Sequence, residues 1–266
     1  MQKLTQEERK EIIINILIEL DKFCKKEKIH YFLTGGTLLG AIRHKGFIPW
    51  DDDADVAMLR EDYERFNSTF NAEHEGNIKW INIYNTKDYY LPFGKLIDTR
   101  TYLLEDYRFA CGIGVYVDVF PIDNVGDDKK IAAREIAKRT LVEQLFPRKF
   151  EKISKEHSLK RNLAIIAASI LPNNGYYIAK KKEARIRKVS YKKNGKYVAN
   201  LYGAYGENEI TLKTNLEETK ETEFEGHMLQ IPAGYENYLH GLFGDYMQLP
   251  PVEERVTHHH DVAYWI

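Results

Sequence analysis

Cysteine is scarce: Cys24 and Cys111 are the only two in 266 residues, and they form neither a Cys-x-x-Cys pair nor a zinc spacing. A disulfide framework and a thiolate metal site are therefore excluded, and both are expected to act as buried small hydrophobes. Long apolar runs are missing as well. The longest, Leu163 to Leu171 with a single Ser inside, is far short of the ~20 residues that cross a bilayer. The first thirty residues lack the cationic start, apolar block and cleavage site of a secretory signal, which places the chain in the cytoplasm as an expectation. No Gly-x-x-x-x-Gly-Lys-Ser/Thr occurs, and Gly112-Ile-Gly114 lacks a third glycine and a following helix. P-loop and dinucleotide-binding readings fall with them.

What is present can build a core. Hydrophobic residues make up 43% and aromatics 12% of the chain, enough for one large folded unit rather than a disordered chain. We expect one domain over residues 1–266, with 127–195 as an appended helical lobe. The net charge of −1 conceals a segregation, because residues 129–196 hold 20 Lys/Arg against 5 Asp/Glu, and the remainder holds 19 against 35. Such a block offers a Coulombic surface to phosphates or anionic lipid headgroups, and equally describes helices with solvated basic faces. Within it, the apolar stretch from Asn162 reads first as a buried core helix and second as a segment lying on a membrane surface.

Along the chain, Thr5 to Glu8 fits a capping box. Ile12, Ile13, Ile16, Leu17, Leu20 and Phe23 then recur at helical spacing up to about Lys28. Ile29 to Leu33 reads as a strand entering a Gly35-Gly36 turn, followed by a helix from Leu38 to Arg43, and a second helix is expected from about Glu61 to Phe70. Further strands are expected over Ile78 to Tyr84, Phe93 to Asp98, Tyr102 to Asp106 and Ile113 to Phe120, the last closed by Pro121. The whole is an α+β arrangement of a mixed sheet with helices around it.

The chemistry concentrates in Asp51-Asp52-Asp53-Ala54-Asp55. On a strand, residues two apart face the same way, so Asp53 and Asp55 can hold divalent cations together. Close carboxylates repel in a partly buried site unless a cation neutralises them or they take up protons. An oxygen-only donor set selects Mg²⁺ or Mn²⁺, whose shells are commonly completed by substrate phosphate. Asp118, inside Tyr116-Val-Asp-Val-Phe120, is the third acid, because a lone charge in an apolar strand needs a partner. Asp51 and Asp52 are read as capping the strand or acting through water.

The stretch from Tyr31 to Val56, with Thr-Gly-Gly-Thr and Asp-Asp-Asp-Ala-Asp, resembles the signature of the LicD family of phosphocholine transferases. Val117 to Asp123 and Tyr238 to Pro251 agree with it. That family is related to fukutin-related proteins and to the DNA polymerase β-like nucleotidyltransferase fold. The resemblance implies a phosphate-cradling turn at Gly35, Gly36 and Thr37, and metal-binding carboxylates at Asp53, Asp55 and Asp118. It also implies transfer of phosphocholine from CDP-choline to a sugar hydroxyl of a cell-surface glycan or teichoic acid precursor, with CMP leaving. Sixteen residues separate Gly36 from Asp53, more than the superfamily's usual interval. Arg43, Lys45 and Lys95 are candidates to neutralise phosphate oxygens. Trp50, Tyr89, Tyr90, Tyr116 and Tyr246 lie near the motifs as possible partners of a quaternary ammonium, and His258 to His260 are taken as native.

Two alternatives stand beside this reading, and one extension of it. The same fold can transfer ribitol phosphate, glycerol phosphate or a nucleotide. A nucleic-acid-binding module would need aromatics interleaved with the cations. Residues 129–196 have few, so no nucleic-acid partner is expected. A lipid-linked oligosaccharide acceptor at the inner membrane face would give the basic lobe a role against anionic lipid.

Overall fold

The computed structural model describes residues 1–87, 89, 91–104, 113–137, 145, 148, 153–155, 157–170, 175–190, 195–256 and 262–266. Cys111, Tyr90 and His258 to His260 lie outside these residues, so the expectations placed on them are not addressed.

β1 (Gln2–Lys3) leads into α1 (Gln6–Glu27), whose Thr5 and Glu8 close the expected capping box reciprocally. Its apolar stripe is buried from Ile12 to Cys24, so Cys24 is the buried hydrophobe anticipated for it. β2 (Phe32–Leu33) is followed at once by α2 (Gly35–His44), without an intervening turn. Gly35 itself opens the helix at φ +54°, a conformation that glycine adopts without strain. β3 (Asp55–Leu59) then runs into α3 (Arg60–Glu73). β4 (Ile78–Ile81) ends three residues before the expected limit, because the Asn82 side chain accepts the Tyr84 N–H and turns the chain. β5 (Gly94–Asp98) and β6 (Thr101–Leu104) precede β7 (Tyr116–Gly126).

β7 does not stop at Pro121 as expected; it is eleven residues long and changes partners on one edge. Residues 116–119 pair with β5, and 123–126 pair with β8 (Tyr197–Ala199). The Asp118 N–H donates to Ala54 on the β3 side. By alternation the Pro121 nitrogen falls on the other edge, in the gap between β5 and β8, where its missing N–H costs no ladder bond.

The sheet has the order β2-β3-β7-β5-β4, with β8 on β7 and β9 (Thr211–Leu212) on β8. Among the described residues of this sheet, only β3 and β7 run parallel; the other pairs are antiparallel. α1, α2 and α3 pack around it, giving the mixed α/β architecture expected. A hairpin of β10 (Thr219–Phe224) and β11 (His227–Pro232) leads to α7 (Tyr235–Phe243), and β12 (Val262–Trp265) joins β1 and β6 in a small second sheet.

The basic segment contributes α4 (Lys129–Ala137), α5 (Leu159–Ser169) and α6 (Gly175–Ser190). α6 is fastened to the sheet by a buried charge network. Arg60 donates to both Asp123 oxygens at 2.8 Å and reaches Glu183 and Glu64 at 3.1 Å, and Arg187 meets Glu64 at 2.8 Å. Burial alone would lower the Arg60 pKa, but Asp123 and Glu183 hold it well above its ordinary value. α5 is not the core helix expected of it, since only Ile165 and Ala168 are buried along its length. No helix among the described residues is long and apolar enough to cross a membrane.

Candidate active site

The site forms where β3, β7 and β5 lie side by side. The parallel register sets Asp55 opposite Asp118, and the antiparallel register sets Asp118 opposite Lys95. Acid, acid and base therefore stand in one row across three strands. Lys95 is buried and donates from Nζ to Asp118 Oδ1 at 2.6 Å, and the same ammonium lies 3.3 Å from the centre of the Tyr116 ring. It is thus the counter-ion of Asp118 in this structure.

The start of α2 fixes Asp55. The Asp55 N–H donates to Thr37 Oγ1 at 2.8 Å, and its carbonyl accepts the Thr34 N–H at 3.1 Å. A Cβ on Gly35 would lie 3.3 Å from Asp55 Oδ2, and one on Gly36 would lie 2.7 Å from Asp51 Oδ2. The double glycine therefore lets two carboxylates close on the amino end of a helix, where unpaired N–H groups and the helix dipole favour negative charge. Thr37 is committed to the Asp55 backbone.

Asp53 precedes β3 and is not on the strand as expected, because pairing with β7 begins at Asp55. It nevertheless belongs to the cluster. Burial and then the Asp53 charge push Asp51 up to about 7. Asp55, half-buried at the start of β3, is raised well above the carboxylate range by desolvation and by Asp53, Asp118 and Asp51, with Lys95 opposing the shift. Asp51 is the member that the sequence reading missed. The signal was there: 51, 53 and 55 share one parity. Asp52, of the other parity, turns to Arg9 of α1 at 3.6 Å.

Arg43 and Lys45 are not brought to this point. Arg43 stands eight residues beyond Gly35 on α2, about 12 Å along the axis, and donates to the carbonyls of Tyr246 and Gln248. Lys45 is exposed, 3.6 Å from Glu223. The segment from Tyr238 onward clamps α2 at both ends, since the Tyr238 hydroxyl also shares a 2.8 Å hydrogen bond with Thr34 Oγ1. Of the aromatics singled out, Tyr89 is buried, Tyr116 lies under Lys95, and Trp50 faces Arg255. Tyr205 went unnoticed; its ring packs edge-on against Phe243, and its phenol pKa is raised by burial and by the Asp55 charge.

Oxygen donors that repel one another and would otherwise hold protons suit a hard divalent cation. Among the described residues no three His, Cys, Asp or Glu side chains are already gathered into a ligand set, and Lys95 engages one Asp118 oxygen. The donor chemistry fits Mg²⁺ or Mn²⁺, with the rest of the shell left to substrate and water.

Residues 28–153 match the family described as LicD/FKTN/FKRP, nucleotidyltransferase domain. Over 274 aligned residues, covering 99% of both chains, this chain is 32% identical to the lipopolysaccharide cholinephosphotransferase LicD of Haemophilus influenzae. The chain belongs to the LicD family. A shorter match reaches the ribitol 5-phosphate transferase FKRP of Homo sapiens, 53% identical over 34 residues, 13% of this chain and 7% of that one. An uncharacterized protein of Rickettsia prowazekii is 30% identical over 140 residues, 42% of this chain and 52% of that protein. The LicD-family match from residue 28 to 153 takes in β2, α2, β3 and β7, and so every carboxylate of the cluster together with Lys95.

Proposed function

We propose that this LicD-family chain transfers phosphocholine from CDP-choline to a sugar hydroxyl of a lipopolysaccharide or teichoic acid precursor, releasing CMP. The observation that carries the reading is the row Asp55, Asp118, Lys95 across β3, β7 and β5, closed against the amino end of α2. The full-length likeness to a lipopolysaccharide cholinephosphotransferase supports choline as the cargo.

Asp53, Asp55 and Asp118, with Asp51 beside them, are the residues that would hold Mg²⁺ or Mn²⁺. A bound cation would neutralise the cluster and draw charge from the phosphoryl oxygens. The chain's own groups do the rest. Lys95, fixed between Asp118 and the Tyr116 ring, sets the orientation of the Asp118 carboxylate. Asp118 orients the acceptor hydroxyl and receives its proton as the oxygen bonds to phosphorus and the bond to CMP breaks. Tyr205 and Phe243 offer ring faces to a quaternary ammonium beside the acids. A cytoplasmic site of action is part of the same proposal.

A second reading keeps the fold and exchanges the cargo for ribitol phosphate, favoured by the local match to FKRP. The test offers CDP-choline, CDP-ribitol and CDP-glycerol separately, with Mg²⁺ and a glycan acceptor, and follows CMP. Release with CDP-choline that is abolished by a chelator is expected. Preference for CDP-ribitol would transfer the assignment to the second reading, and no release with any donor would refute both.

A further inference from the structure

α5 is apolar on two opposite faces, and the fold uses only one. Ile165 and Ala168 turn inward, whereas Leu159, Leu163, Ile166 and Ile170 are 77%, 56%, 52% and 85% exposed. Their spacing of four, three and four residues puts all four on one side of the helix. A row of four large aliphatic side chains in water is costly, about 25 cal/mol for each Å² left uncovered.

The segment of chain that carries this row is strongly basic. Residues 153–190 hold nine Lys/Arg against two Asp/Glu. One of those acids, Glu183, is buried against Arg60 and Arg187 and contributes no outward charge. Lys160 and Arg161 are exposed in the first turn of α5, and Lys180, Lys181 and Lys188 are exposed on α6. Tyr177, at the start of α6, is half exposed with the Lys181 ammonium 4.4 Å above its ring. Two copies of such a surface would repel each other, which argues against self-association through the row. Exposed aliphatic side chains in a segment rich in exposed cations are the composition that suits the boundary of an anionic bilayer.

We propose that the Leu159-Leu163-Ile166-Ile170 row docks on the surface of an anionic phospholipid bilayer, with Lys160 at its flank and the α6 lysines meeting the headgroups. The helix lies on the membrane without crossing it. The buried Arg60 network fixes α6 to α3 and to β7, the strand that carries Asp118, so the basic surface of α6 and the site keep a constant relation. This inference goes beyond the proposed reaction and does not depend on the cargo.

The experiment floats the full-length protein with vesicles of phosphatidylglycerol and phosphatidylethanolamine, or of phosphatidylcholine alone, without donor or acceptor. Retention on the anionic vesicles at low salt is expected, weakening as salt rises. The double variant Leu163→Gln/Ile166→Gln should lower the partition coefficient about tenfold or more. Its far-UV circular dichroism and its CMP release with a water-soluble acceptor should match the parent. Lys180→Gln/Lys181→Gln should lower binding about tenfold and flatten its salt dependence. Failure to float with anionic vesicles, or flotation indifferent to the Leu163 and Ile166 changes, would overturn the proposal. So would a dimer in sedimentation that the same changes dissociate, which would give the row to a second copy.

Discussion

At Asp55 the demands of folding and of chemistry pull apart. Its half-buried carboxylate lies against Gly35 and is crowded by Asp51, Asp53 and Asp118, with Lys95 as the opposing charge. Asp55→Asn should therefore abolish CMP release while the variant melts at the same temperature or higher without metal, since it removes one of several crowded like charges. Activity assays beside a thermal melt check both halves. Lys95 is the converse case. Lys95→Met leaves Asp118 without its 2.6 Å partner, and a drop of about 3 kcal/mol in urea-denaturation stability is expected. A separate acid carries a pH effect: burial pushes Glu209 from 4.5 up to about 7, and the Tyr205 N–H opposes this only partly. Because its folded pKa is raised, its contribution is full below about pH 4.5 and declines as pH rises through about 7. Glu209→Gln should flatten that part of the stability profile, read from melts across the range. At this scale the sequence grouped Asp53, Asp55 and Asp118 and left out Asp51, whose parity with 53 and 55 was legible but whose place against Gly36 was not.

The helix α2 and the strand β7 show how elements place these residues. α2 begins at Gly35 because glycine tolerates φ +54° there, and Gly36 presents bare backbone to Asp51. Gly36→Ala would place a methyl 2.7 Å from Asp51 Oδ2 yet raise intrinsic helix propensity by about 1 kcal/mol. We expect at least a tenfold loss of activity with little change in melting temperature, a split that paired kinetic and thermal measurements will show. β7 carries Asp118 at one end and Asp123 at the other, with unlike duties: the first faces the site, the second is wholly buried against Arg60. Only Asp118 was visible as an acid in an apolar strand. Pro121 hid their common element, since a proline ends most strands and is tolerated here only because β5 stops before β8 begins.

Over the whole molecule the basic segment is joined to the catalytic sheet through charge as well as apolar packing. Arg60→Met would leave Asp123 and Glu183 buried without their shared cation. A loss of about 3–5 kcal/mol in denaturation stability is expected, with α6 released from β7 and hydrogen exchange along it accelerated. Some properties of this chain follow from local sequence alone: the capping box of α1, the double glycine that opens α2, the acid-rich approach to β3, and the charge division between 129–196 and the rest. Each depends on neighbours within a few residues or on composition, so no fold is needed to read it. The tertiary structure alone decided that Lys95 serves Asp118, that Arg43 secures the Tyr246 to Gln248 segment, and that α5 turns half of its apolar surface outward. Those outcomes depend on strand register and on which helix face meets the core, and both are set by pairings between residues far apart in the chain.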